Sequence, residues 1–172
     1  MSPTRASAPR NTYRARLEEL ARKAPEEPEE QADWAKYLSV LVSGYLEQAL
    51  KEILLEFAGR HDAYRLQQYI AGTWPESRNM KTANIREILN HFDPSWATRF
   101  DAWIAAGDQY KSELNSLIAS RNDIAHGKEA NTTNVTLRSI RNRLRIALEL
   151  VGFLENLILA DQIAVEAVEA TA

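Results

Sequence analysis

The stretch QADWAKYLSVLVSGYLEQALKEILLEFAGR, residues 31–60, decides the fold. Trp34, Leu38, Leu41, Tyr45, Leu46, Ala49, Ile53 and Phe57 recur at helical spacing, and Val42, Leu50 and Leu54 widen the stripe. The spacing predicts one long helix that stops near Gly59. At 1.5 Å per residue it is about 40 Å long. An apolar stripe this wide needs more than one neighbour, so the helix belongs inside a bundle.

Outward from it, the chain reads as further helices. Residues 61–72 predict a short helix ended near Gly72 and Pro75, and residues 73–81 a loop. Asn84 to Glu87 has the form of a capping box ahead of Ile88 and Leu89. Asp93-Pro94 reads as an N-cap followed by proline at the first helical position, before an apolar face of Trp96, Phe100, Trp103 and Ile104. Gly107-Asp108 opens a helix carrying Tyr110, Leu114, Leu117 and Ile118. A polar segment from Gly127 to Asn134 precedes the last long helix. There Leu137, Ile140, Leu144, Ala147, Val151, Leu154 and Ile158 alternate at three and four residues, a heptad-like seam suited to another long helix. On the N-terminal side, residues 11–23 predict a short helix, and Pro25 and Pro28 interrupt it. Residues 1–10 read as a Ser/Pro/Ala/Arg-rich tail. The expected organisation is an N-terminal appendage over 1–30 and a helical domain over 31–172. Alternating β-branched runs are missing. The expected fold is all-α, an up-and-down bundle with two long helices and shorter helices between.

Of the 172 residues, 45% are hydrophobic and 26% charged, ordinary values for one globular domain. There is no cysteine, which removes disulfides, thiolate nucleophiles and Cys-based zinc sites. It also suits a reducing, cytoplasmic setting. MSPTRASAPR lacks an apolar core, so no secretory signal is expected, and no stretch reaches the ~20 apolar residues of a membrane span. The net charge of −3 hides a gradient. Residues 121–145 carry six Lys/Arg against two acids, whereas 146–172 carry five acids and no base. A local basic segment matters more to an anionic partner than the total charge does.

The three histidines, His61, His91 and His126, show no metal-ligand spacing, so no metal or other cofactor is expected. The most suggestive surroundings are those of His126, in SRNDIAHGK. Arg121 and His126 put a permanent cation and an imidazole on one short segment. Phosphodiester chemistry uses both, one to hold phosphate and one to move a proton. The segment falls where Asn122, Asp123 and Gly127 favour leaving helical geometry, so the two side chains need not obey helical phase and can converge on one substrate. Arg86 and His91 repeat the spacing inside a continuous helix, about 140° apart, and read as a decoy. Lys128, Arg138, Arg141 and Arg145 follow the motif as candidate substrate-binding residues, the three arginines on one helix face and Arg143 elsewhere. Salt bridges or a solvated face explain them equally well. Trp34, Trp74, Trp96 and Trp103 read as core or interface residues rather than base-stacking platforms. Glu47 interrupts the apolar face of the first long helix and reads as an exposed charge, or as a polar residue near the site.

RNDIAHGK resembles the Arg-Asn-x-x-Ala-His signature of the HEPN superfamily (higher eukaryotes and prokaryotes nucleotide-binding). It is most similar to the bacterial RiboL-PSP and MAE_28990/MAE_18760 groups. The resemblance extends over residues 31–160 through LSVLVSGYLEQALKEILLEF, NIREILNHFDPSW, the motif and a closing long helix. It implies a metal-independent endoribonuclease that acts as a homodimer, with Arg and His of two subunits forming one composite site. Arg121 would then bind and polarise the scissile phosphate, His126 would transfer a proton, and Asn122 would orient either. The products implied are a 2′,3′-cyclic phosphate and a 5′-hydroxyl. Such enzymes often serve as toxins or antiviral effectors, so an antitoxin or defence partner is an expected associate, and a membrane is not. Two other functions stay open: a catalytically silent HEPN module binding RNA, nucleotide or protein, and a dimerisation scaffold.

Overall fold

The computed structural model describes residues 8–159. Over that range the chain forms seven α-helices and no strand: α1 (Pro9–Arg22), α2 (Pro28–Arg60), α3 (Tyr64–Thr73), α4 (Thr82–Phe92), α5 (Pro94–Ala106), α6 (Tyr110–Ala125) and α7 (Leu137–Leu159). A 3-10 turn, Glu129–Thr132, lies between α6 and α7. The all-α up-and-down bundle with two long helices is therefore what the molecule adopts.

α2 is its axis. It runs 33 residues, about 50 Å, and contacts α1, α3, α6 and α7. That explains the width of its stripe: Leu38, Val42, Leu46, Leu50 and Leu54, each about 40° further round the helix than the last, are all buried. The seam of α7 is buried from Ile140 to Ile158 along α2. α2 ends at Arg60, one residue past Gly59, and Asp62 follows with φ of 52°.

Proline and aspartate set several helix starts. Pro9, Pro28 and Pro94 stand in the first turns of α1, α2 and α5, where a missing N–H costs nothing. Asp93 caps α5, accepting from the Ser95 backbone N–H at 2.7 Å. Ser95 hydrogen bonds hold its carboxyl below the usual range. The capping box expected at Asn84 is absent. α4 begins at Thr82, and its first N–H donates to Asn115 Oδ1 of α6 at 3.0 Å, so a tertiary partner replaces the local cap. Gly107 precedes α6 because any Cβ there would overlap the Tyr110 ring.

The N-terminal segment, expected to be an appendage, packs on the bundle. α1 buries Leu17 and Ala21 and lies against α2 and α7. Its Arg10, only 4% exposed, donates to Glu155 of α7 at 2.5 Å and to Glu56 of α2 at 2.8 Å, and its backbone N–H donates to Glu52 at 2.9 Å. Burial opposes the charge on Arg10, but the Glu155 and Glu56 bonds outweigh it and raise its pKa. Burial pushes the Glu52 carboxyl up, and Arg10 offsets part of that. Trp34 Nε1 donates to Leu20 O at 3.0 Å, which ties the loop between α1 and α2 from the other end.

Candidate active site

The motif sits at the C-terminus of α6. His126 is the C-cap, and Gly127 follows with φ of 66°. The Lys128 N–H reaches Asp123 O at 2.9 Å and the Gly127 N–H reaches Ile124 O at 3.1 Å, which is a Schellman closure. Gly127 is needed because only glycine takes this left-handed position without strain.

Arg121 lies one turn before the end, partly buried. Its guanidinium donates to Ser77 Oγ at 2.8 Å and to Asn122 Oδ1 at 3.2 Å. It lines a hollow of about 190 Å³ with Asn122, Ile118, Ser43 of α2, and Ser77, Arg78 and Asn79 of the loop between α3 and α4. His126 is exposed, and no described residue hydrogen-bonds its imidazole. It does not line the Arg121 hollow.

Arg121 and His126 of one chain therefore do not share a hollow. Regular helix persists through Ala125, so a five-residue separation leaves Arg121 and His126 about 140° apart in phase. Rotation alone does not distinguish this pair from Arg86 and His91. What distinguishes them is pairing: Arg86 is taken by Asp101 at 2.8 Å on α5, while Arg121 has only neutral partners among the described residues and lines a hollow.

The four basic candidates separate. Arg138 and Lys128 are exposed, Lys128 at 4.0 Å from Asp123. Arg141 gives two hydrogen bonds, of 3.0 and 2.8 Å, to Ala21 O and so caps the end of α1. Arg145 pairs with Glu149 at 2.7 Å and Asn142 at 3.0 Å. Glu149 also accepts from Tyr110, and the Tyr110 and Arg145 bonds lower its pKa. Arg141 and Arg145 line a larger hollow of about 970 Å³ between α1 and α7 that shares no residue with the Arg121 hollow. Arg143 is buried, bound to Glu113 at 3.0 Å and Ser120 at 3.3 Å, and pins α7 to α6.

Glu47 is not an exposed charge. It is 7% exposed on α2, its Oε1 has no hydrogen-bond partner among the described residues, and it lies one turn beyond Ser43. Among the tryptophans, Trp96 is buried, and Trp103 stacks on Phe153 at 5.2 Å. Trp74 differs, being half-buried beneath the Arg78 guanidinium at 4.5 Å. Ser43, Ser77 and Arg78 had no sequence signal beyond polarity, since only the fold brings them to Arg121.

A family model described as RiboL-PSP-HEPN matches residues 11–160. The chain belongs to that family. The match begins at Asn11, within α1, and runs through the end of α7, so it takes in most of the first helix. Comparison with curated proteins finds no match, and neither does comparison with solved structures. HEPN domains are often ribonucleases, so membership suggests a nuclease or other RNA-related role. Among the described residues no group of three His, Asp or Glu side chains could hold a metal ion, and no helix is long and apolar enough to cross a membrane.

Proposed function

We propose that this chain is a metal-independent endoribonuclease acting as a homodimer. The observation that carries it is the pair at the end of α6: an arginine with neutral partners facing a hollow, and a histidine exposed five residues on. Arg121 neutralises a non-bridging oxygen of the scissile phosphate, and Asn122, already bonded to Arg121, keeps the guanidinium oriented. The ribose 2′-oxygen attacks phosphorus and loses its proton, the P–O5′ bond breaks, and the 5′-oxygen takes a proton. His126 supplies one of those two transfers, and the products are a 2′,3′-cyclic phosphate and a 5′-hydroxyl. Arg121 and His126 of one copy face different directions, which favours a site completed by a second copy. A toxin or antiviral effector held in check by a partner protein is the role that family resemblance favours.

The test is cleavage of a mixed RNA substrate in EDTA by the native chain, His126→Ala and Arg121→Ala, with the product ends analysed. Loss in both variants, by about 10²–10⁴-fold, with cyclic phosphate ends from the native chain, is the expected result. Equal cleavage by all three proteins would mark a contaminating nuclease and sink the assignment. Intact RNA at high enzyme concentration would favour a silent binding module.

A further inference from the structure

The loop between α3 and α4 joins two hollows through one side chain. Arg78 lines the Arg121 hollow and also a hollow of about 600 Å³ between α3 and α4. The second hollow lies within the size range of small-ligand sites. Trp74, Tyr69 and Phe92 give it aromatic walls, Leu54 of α2 contributes apolar surface, and Arg78 and His91 are its charged or titratable groups. Tyr69 is 67% exposed, so core packing does not account for it. Trp74 carries Arg78 over its ring at 4.5 Å, and its indole N–H has no hydrogen-bond partner among the described residues, so stacking rather than hydrogen bonding holds the ring.

We propose that this aromatic hollow is a nucleobase subsite for single-stranded RNA, with Arg78 holding the backbone phosphate between it and Arg121. The proposal rests on the ribonuclease reading above and names how the substrate strand is held. A ligand that spans both hollows must offer anionic groups to Arg121 and Arg78 and a flat apolar ring to Trp74 and Tyr69. A single RNA strand alternates just these groups. Ser43 lines the first hollow and Leu54 the second, eleven residues apart on α2, or about 16 Å. A strand of a few nucleotides covers that distance. His91 also lines the ring site, where an imidazole can hydrogen-bond a base edge.

The test is fluorescence anisotropy with four 2′-O-methyl RNA decamers (A, C, G and U), which lack the attacking hydroxyl and cannot be cleaved. Tyr69→Ala and Trp74→Ala are expected to weaken the best-bound decamer about tenfold, with Trp74→Phe keeping most of the affinity. Tyr69 is exposed, so its variant stays folded even if Trp74→Ala does not. Native affinity for all four decamers in Tyr69→Ala and in a folded Trp74 variant would overturn the subsite and leave the ribonuclease reading standing. A native chain that binds none of the four overturns the subsite, and the EDTA cleavage assay then reports separately on the ribonuclease reading.

Discussion

The Arg121 guanidinium donates to the Ser77 hydroxyl at 2.8 Å across 44 positions of sequence. This bond fixes the cation of the candidate site to the loop between α3 and α4. The other donor contact of Arg121, to Asn122, is local and longer at 3.2 Å. Ser77→Ala should remove about 1 kcal/mol of positioning, a roughly fivefold fall in RNA cleavage. Ser77 is exposed, so the melting temperature should hardly move. An unchanged rate would mean that the loop does not orient Arg121.

A site built from two copies makes activity depend on association. On serial dilution, cleavage per mole of chain should fall steeply once the concentration passes below the dimer dissociation constant. Sedimentation run over the same concentration series checks it. Constant specific activity while the chain is monomeric would assign the whole site to one copy.

The basic residues near the motif should behave as two classes. Arg138→Ala and Lys128→Ala should each weaken RNA binding about equally for every sequence and lower the slope of log affinity against log salt by about 1. Arg141→Ala should instead cost about 1 kcal/mol of stability, 2–4 °C in melting temperature, because it frees the Ala21 carbonyl at the end of α1. Binding titrations over a salt series, with thermal melts of the same proteins, distinguish these outcomes.

Arg10 holds three acids from two helices, and it is the buried partner. Arg10→Ala removes the buried cation that Glu155, Glu56 and Glu52 share, leaving Arg60 on Glu56 at the rim. A cost of about 3 kcal/mol, roughly 6–12 °C, is expected. Urea unfolding checks the size. A loss under 1 kcal/mol would mean that α1 adds little to the bundle.

Much of the fold was legible because helical periodicity is a local property. The stripe from Leu38 to Leu54 and the seam from Ile140 to Ile158 each report which face is buried, and they bury each other. Asp93-Pro94 was readable for the same reason, since an N-cap and its N–H lie two residues apart. The Asn84 capping box failed because Asn115, far along the chain, satisfied the helix start first. Glu47 failed because burial is set by what packs opposite. α1 was set apart because Pro25 and Pro28 mark a break in helix and say nothing about docking; Arg10 and Leu17 bring it back.

For the site, sequence alone singled out Arg121, Asn122 and His126 as a cation, an amide and an imidazole beside a glycine that must turn the chain. It determined the chemistry on offer. The tertiary structure decided its geometry: Arg121 bonded to Ser77 at a hollow that Arg78 also lines, His126 exposed outside that hollow, Arg141 spent on α1, and Trp74 and Tyr69 left around a hollow. The physical reason is range. Propensity, capping and periodicity act within a few residues, whereas hydrogen-bond partners and hollows arise between segments that only packing brings together.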